Sequence, residues 1–188
     1  MIKGDKTLLV PAGLSDKKTI YDWCYNSEIT KSHSGLPHYP ENPIATWDEF
    51  FGEGYVDYFF TGTRPEDGRG FIILNDGEQA GFISYCSFHL NPGKSELDIW
   101  MNCEANCGKG FGSDAIISLG SYLNKNQGIA ELIMRPSKKN ARAAKAYMKA
   151  GFKKSEKPAS YYLLDEYMPL YGAGDYGEGG DLLLVKQF

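Results

Sequence analysis

The run Asn106–Ala115 reads NCGKGFGSDA. Glycines stand at Gly108, Gly110 and Gly112, and Ala115, Ile116, Leu119, Tyr122 and Leu123 then recur at helical spacing. A glycine loop that opens a helix offers successive backbone N–H groups, which can hold a phosphate without a basic side chain. Glycine also lets the backbone approach closely and take positive φ. The segment just before, SELDIWMN, reads as a strand. Strand, loop and helix are the anchor for the rest of the chain.

Spacing excludes one nucleotide reading and disfavours another. A Walker A loop needs Gly-x4-Gly-Lys-Ser/Thr, but here Lys109 precedes the last two glycines and no Lys precedes Ser113. A dinucleotide fingerprint needs G-x-G-x-x-G after a first βα turn. The spacing here is G-x-G-x-G, and the expected strand lacks an acidic ribose ligand. A plain glycine-rich turn remains the alternative to a pyrophosphate loop.

Working outward, KTLLVPAG reads as a first strand, and Ser15 caps a helix over DKKTIYDWCYNSEI. SGLPHYPENP reads as a loop. ATWDEFFGE is a shorter helix, with Thr46 and Glu49 as a capping box. GFIILND and QAGFISYCSFH form a hairpin at NDGE. Beyond the glycine loop, IAELIMR is a strand. A helix then starts at Pro136-Ser137, runs to Ala150 and ends at Gly151. GFKKSE and DLLLVKQF read as closing strands. The order β-α-α-β-β-β-α-β-α-β-β, without repeats or a linker, predicts one α/β domain over residues 1–188. Its sheet is mixed and mainly antiparallel, flanked by helices.

Composition narrows the function classes. The net charge of −4 leaves no broad basic surface, which argues against nucleic acid or an anionic membrane as partner. No run of 18 apolar residues is present, and MIKGDKTLLV lacks a signal-peptide core, so the expectation is a cytoplasmic protein. Cys103 and Cys107 form a C-x3-C pair with no second ligand pair nearby, and His33, His38 and His89 do not cluster with it. No metal site is expected, and reduced, mostly buried thiols are.

About 30 residues past the loop, Asn140–Phe152 reads NARAAKAYMKAGF. With the loop, this resembles the GNAT superfamily of acetyl-CoA-dependent N-acetyltransferases. That family shows Gln/Arg-x-x-Gly-x-Gly after its fourth strand and Asn-x-x-Ala-x-x-x-Tyr-x-x-x-Gly-Phe on a later helix. Gly110 and Gly112 match the first pattern; Asn140, Ala143, Tyr147, Gly151 and Phe152 match the second. The element order agrees from roughly Lys6 to Phe188. One departure is plain: the family's Arg or Gln falls at Cys107, which removes a side-chain contact but keeps the backbone amides.

The resemblance implies a sheet splayed at its central strands and acetyl-CoA as cosubstrate. Its pyrophosphate would rest on Cys107, Gly108, Lys109, Gly110, Phe111, Gly112 and Ser113. Its pantetheine arm would lie along Trp100, Met101 and Asn102, paired like an added strand. The Met101 amide is the candidate to polarise the thioester carbonyl, and Asn140 would reach the pantetheine or fix the splayed backbone. Tyr147, two turns after Asn140 on the same face, would protonate the leaving thiolate; a plain core role is the alternative. Asp98 and Glu96 share one face of their strand, opposite Leu97, Ile99 and Met101. Aminoglycoside 6′-N-acetyltransferases carry an aspartate at the Asp98 spacing. Asp98 is therefore preferred as base or amine anchor, with Glu96 beside it on the acceptor side. Two solvated carboxylates are the alternative.

For the acceptor, YDWCYNSEI and RPSKKNARAAKAYMKAGF resemble those same enzymes. They carry an acid just before the Pro-Ser pair, where this chain has Arg135, and that argues against aminoglycosides. The insertion 159–181 has no Lys or Arg. It holds Asp165, Glu166, Asp175, Glu178 and Asp181 among Tyr161, Tyr162, Tyr167, Tyr171 and Tyr176. Carboxylates with aromatic faces suit an ammonium ion. Tyr39 and Glu41 would line the other side of the cleft, and a solvated acidic loop is the alternative. The leading expectation is acetyl transfer to a primary amine of a small cationic acceptor, by direct attack in a ternary complex. Competing readings are a thiol acyl-enzyme at Cys103 or Cys107, a protein N-terminal or lysine acetyltransferase, and a non-catalytic acyl-CoA sensor. A homodimer is compatible with all of them.

Overall fold

Strand β1 (Ile2–Lys3) pairs with β2 (Leu8–Pro11), which joins the hairpin of β3 (Gly68–Asn75) and β4 (Glu78–Cys86). The structure is a computed structural model describing residues 1–29, 44–170 and 182–188. Tyr39 and Glu41, and residues 171–181 of the insertion with Tyr171, Asp175, Tyr176, Glu178 and Asp181, lie outside the described residues. The remaining strands are β5 (Lys94–Met101), β6 (Glu131–Met134), β7 (Lys153–Lys154) and β8 (Leu184–Gln187). The sheet order is β1-β2-β3-β4-β5-β6-β8-β7, and all neighbours are antiparallel except β5 and β6. This is the expected mixed, mainly antiparallel sheet, with β1 added at one edge.

The β3–β4 hairpin turns where NDGE predicts, with positive φ at Asp76 (50°) and Gly77 (84°), the backbone of a type I′ turn. Helix α1 (Lys17–Tyr25) is shorter than its sequence pattern and starts differently. Gly13, not Ser15, begins the turn: a 3-10 segment over Leu14–Asp16 leads in, and the Asp16 carboxylate accepts the Gly13 N–H at 2.8 Å. Helix α2 (Trp47–Glu49) has the expected Thr46–Glu49 capping box and continues through a π-helical turn, Phe50–Gly54. A short helix α3 (Tyr58–Thr61) follows, with no counterpart in the sequence reading.

Helix α4 (Phe111–Gln127) buries Ala115, Ile116, Leu119 and Leu123, while Tyr122 of the same pattern stays at the surface. Helix α5 covers Ala141–Lys149 and begins five residues later than Pro136. Asn140 is its N-cap: its side chain accepts the Ala143 N–H at 3.0 Å, and its own N–H bonds the Ser137 carbonyl at 2.8 Å. A last short helix, α6 (Ala159–Tyr162), precedes a 3-10 turn over Asp165–Leu170.

Alternation divides the strands between two cores. Phe71, Ile73, Ile83, Leu97 and Ile99 pack under α4. Ile72, Phe82 and Trp100 face the other way, against α1 and the rings of Phe50, Phe51, Phe59 and Phe60. The two cores thus flank β3, β4 and β5 on opposite faces, while Asp98 of β5 stays exposed. A smaller cluster joins Ile133 to Leu90, Tyr162, Leu163 and Leu183. Between the aromatic core and this cluster, on one face of the sheet, lie the polar side chains of Ser84, Glu96 and Asp98.

Candidate active site

The site starts where two strands part. β5 and β6 pair at Lys94–Glu131, Ser95–Leu132 and Glu96–Ile133, and there the ladder stops. β5 runs on to Met101, paired with β4 alone. The Asn102 N–H bonds the Ala80 carbonyl at 3.0 Å, on the β4 side. Strand alternation then turns the N–H groups of Ile99 and Met101 toward the β6 side, into the fork. The splay predicted at Trp100–Asn102 therefore exists.

The glycine loop closes one end of the fork. A 3-10 turn over Glu104–Asn106 leads into it, and Gly110 caps α4. Gly108 (φ 76°) and Gly110 (φ 88°) hold left-handed backbone, which explains glycine at both. A side chain starting at Gly108 would meet nothing within 4 Å, so the backbone there is open to a ligand. The loop is pinned from behind. The Asp114 carboxylate accepts the N–H groups of Asp5, Lys6 and Thr7 at 3.0, 3.1 and 2.9 Å and the Thr7 hydroxyl at 2.7 Å. The Lys6 ammonium donates to the Lys109 carbonyl at 3.1 Å. The β1–β2 turn thus fixes the first turn of α4.

A cavity of about 290 Å³ lies between the end of β5, the glycine loop and α5. Of the residues expected to hold a cofactor, Trp100, Met101, Cys107, Gly108, Gly110, Gly112, Ser113 and Asn140 line it, as does Tyr147. Asn102, Lys109 and Phe111 do not. Asn102 holds the end of β5 instead, giving its amide N–H to the Gln79 carbonyl at 2.7 Å and accepting from Asn106 at 2.9 Å. Phe111 packs on the core under α4, with the Lys109 ammonium 5.9 Å from its ring. Sequence reasoning missed Arg142, Lys145 and Lys149, three cationic residues on the cavity side of α5. Their spacing of three and four residues was the available signal. Arg142 is engaged by the Glu104 carboxylate, and the loop amides with Lys145 and Lys149 can hold phosphate groups.

Asp98 lies on the opposite face of β5 from Ile99 and Met101, across from Ser84. Its Oδ2 accepts the Tyr55 hydroxyl at 2.7 Å. Tyr147 is half-buried at the cavity wall; desolvation of its hydroxyl, then the nearby Asp98 charge, push it well above the usual tyrosine range, so it keeps its proton. Tyr147 both packs on the core and lines the cavity, so its two sequence readings coincide.

Glu96 is not free to meet an acceptor. Arg135 Nε donates to its Oε1 at 2.7 Å, and His89 Nε2 stands 3.0 Å from Oε2. Burial acts to raise the Glu96 carboxyl, but the charge of Arg135 and the bonds from His89 and Arg135 hold it down at about 2. Its carboxylate is engaged by these two side chains, a contact that strand periodicity could not reveal. Asp165 and Glu166 lie exposed on the 3-10 turn. The chain there is tied to the β4–β5 connection by the Leu164 N–H on the His89 carbonyl (3.1 Å) and by Tyr167, 5.5 Å from Phe88. Cys107 donates to the Cys103 carbonyl at 3.6 Å, and burial pushes its thiol up, which disfavours a thiolate nucleophile. Among the described residues no group of three or more His, Cys, Asp or Glu could hold a metal ion, and no helix is long and apolar enough to cross a membrane.

A family model described as Acetyltransferase (GNAT) domain matches residues 6–153. No curated protein matches the chain. Among solved structures, AAC(6')-Ib in complex with paromomycin and acetyl-CoA is similar at a TM-score of 0.68 and 18% identity, over 97% of this chain and 94% of that one. An acetyltransferase from Agrobacterium tumefaciens str. C58 gives 0.66 and 17%, over 100% and 94%. Spermidine N-acetyltransferase from Vibrio cholerae, in complex with CoA and spermine, gives 0.64 and 16%, over 97% and 95%. At these identities the likeness shows the fold.

Proposed function

The chain belongs to the acetyltransferase (GNAT) family, and from that premise we propose that it moves an acetyl group from acetyl-CoA to a primary amine of a small cationic acceptor, by direct attack in a ternary complex. The observation that carries this reading is the open β6-side edge of β5 beside the glycine loop, with one cavity running along both. The residues present fit acetyl-CoA. Gly108 and Gly110 line the cavity, with open space beside Gly108 for a pyrophosphate, and Lys145 and Lys149 add positive charge along the same cavity. The fork offers the Ile99 and Met101 N–H groups to an extended, amide-bearing arm.

Acetyl-CoA, when bound, supplies the thioester that the amine attacks. In this reading the Met101 N–H supports the thioester oxygen as charge grows there. Tyr147 keeps its proton until the thiolate leaves and then donates it. Asp98, from the other side of β5, draws the ammonium group in and takes its proton directly or through water. Similar folds in complex with paromomycin and with spermine are consistent with a cationic amine. Arg135 beside Glu96 sets this chain apart on the acceptor side: it cancels one carboxylate, which favours an acceptor of lower positive charge than a polyamine. The net charge of −4 and the four unbridged cysteines fit a protein of a reducing compartment such as the cytoplasm, acting on small molecules.

The test has two steps. Isothermal titration with acetyl-CoA measures binding, and no binding would sink the reading. Thiol release is then followed over a panel of monoamines, polyamines, aminoglycosides, and peptides with free N-termini or lysines. Binding without turnover of any member would favour a sensor, and turnover of peptides alone would favour a protein acetyltransferase. Asp98→Asn should bind acetyl-CoA normally and turn over slowly.

A further inference from the structure

Tyr55 follows the π-helical turn Phe50–Gly54, on a segment that nothing in the sequence ties to catalysis. Its ring is caged by Phe50, Phe59, Phe82 and Trp100, with centroids 5.1, 5.3, 5.6 and 5.8 Å away. A ring packed on that many sides has one position. Its hydroxyl emerges between two residues that face each other across β4 and β5: Ser84 Oγ at 3.1 Å and Asp98 Oδ2 at 2.7 Å.

The direction of these bonds follows from the inventory of protons. A carboxylate only accepts, so the single Tyr55 proton goes to Asp98. Ser84, buried in the strand, must then donate to the Tyr55 oxygen. Ser84, Tyr55 and Asp98 form a chain of donors aimed at one carboxylate oxygen. Among the described residues, the other oxygen, Oδ1, has no hydrogen-bond partner.

We propose that Tyr55 is a positioning residue for amine activation: through its caged hydroxyl it holds Asp98 by Oδ2 and presents Oδ1 to the acceptor. The inference rests on the reading of Asp98 as base. An aspartate on an exposed strand face can swing through several rotamers. A charge-assisted bond from a fixed phenol selects one of them. The other titratable groups that feel the Asp98 charge are Cys24 and Tyr25 of α1 and Tyr147 of α5. Burial first, and Asp98 in addition, keep all three protonated. On its own strand stands Glu96, bound by Arg135 with His89 behind it.

Tyr55→Phe preserves the ring and its cage and removes only the donor. With acetyl-CoA and any amine that turns over in the panel, kcat/KM for the amine should fall about tenfold to a hundredfold. The loss should fall on kcat rather than on KM for the amine, and the acetyl-CoA Kd should stay as in the native enzyme. Ser84→Ala should act in the same direction but more weakly, and it provides a second reading should Tyr55→Phe fold poorly. Tyr55→Phe combined with Asp98→Asn should be no slower than Asp98→Asn alone, because Tyr55 acts through Asp98. Native kcat/KM in both Tyr55→Phe and Ser84→Ala, or losses that add in the double variant, overturn the proposal while leaving Asp98 as base. Full activity of Asp98→Asn, or no turnover of any amine, overturns both.

Discussion

Arg135 Nε lies 2.7 Å from Oε1 of Glu96, at the point where β5 and β6 separate. The pair is largely enclosed, and His89 occupies the second carboxylate oxygen. The contact has a stability consequence and a specificity consequence.

Removing one partner of such a pair strands the other charge. Arg135→Met should destabilise the fold by about 3 kcal/mol in neutral buffer, read from urea unfolding. The sign with pH follows from Glu96, held at about 2 against its ordinary 4.5. The native state binds fewer protons between those values, so the contribution is complete above 4.5 and fades as pH falls toward 2. The gap between native protein and variant should therefore narrow over that window. The same variant should lower KM for polyamines relative to monoamines, because Glu96 is released toward the acceptor.

Gly110 caps α4 at φ 88°, and a side chain there would also come within 3.2 Å of Lys6 Nζ. Gly110→Ala should strain the loop by about 1–2 kcal/mol and weaken acetyl-CoA binding about tenfold, measured by titration calorimetry. Unchanged affinity would mean that the loop amides are not the phosphate site.

Lys145 and Lys149 face the cavity from an exposed helix surface. Charges there act on a phosphate through solvent and are screened by salt. Lys145→Ala with Lys149→Ala should weaken acetyl-CoA binding about tenfold at low salt, taking roughly 0.7 kcal/mol per residue. The loss should shrink at high salt, and turnover of acetyl-pantetheine, which lacks the phosphates, should not change.

Tyr147 keeps its proton because burial and the Asp98 charge both oppose ionisation. It should therefore add no alkaline limb to the rate profile in the neutral range. Tyr147→Phe should lower kcat about a hundredfold with the acetyl-CoA Kd unchanged, as expected when a general acid is lost. A thioester with a more acidic leaving thiol should restore part of the rate. Equal losses on both thioesters would assign Tyr147 to packing alone.

Much of the fold is legible locally. NDGE specifies its turn because Asp and Gly tolerate positive φ, and Thr46 and Glu49 cap a helix three residues apart. The alternation of Glu96 and Asp98 against Leu97 and Ile99 separates the faces of β5. Competing local signals explain the errors. Pro136-Ser137 resembles a helix start, but Asn140 makes the cap. Ser15 resembles an N-cap, but the Asp16 side chain reaches back to Gly13 and tightens the first turn.

The sequence by itself determined the glycine loop, the helix it opens, the strand before it and the Asn140–Phe152 pattern, because φ preference, capping and periodicity act over a few residues. Only the tertiary structure decided what those parts touch. Asp114 reaches Thr7 across 107 positions, Tyr55 reaches Asp98 across 43, and Arg135 reaches Glu96 across 39. Such contacts depend on sheet register and on where β6 leaves β5. Those are set by how two cores pack on opposite faces of one sheet, and no local rule contains that.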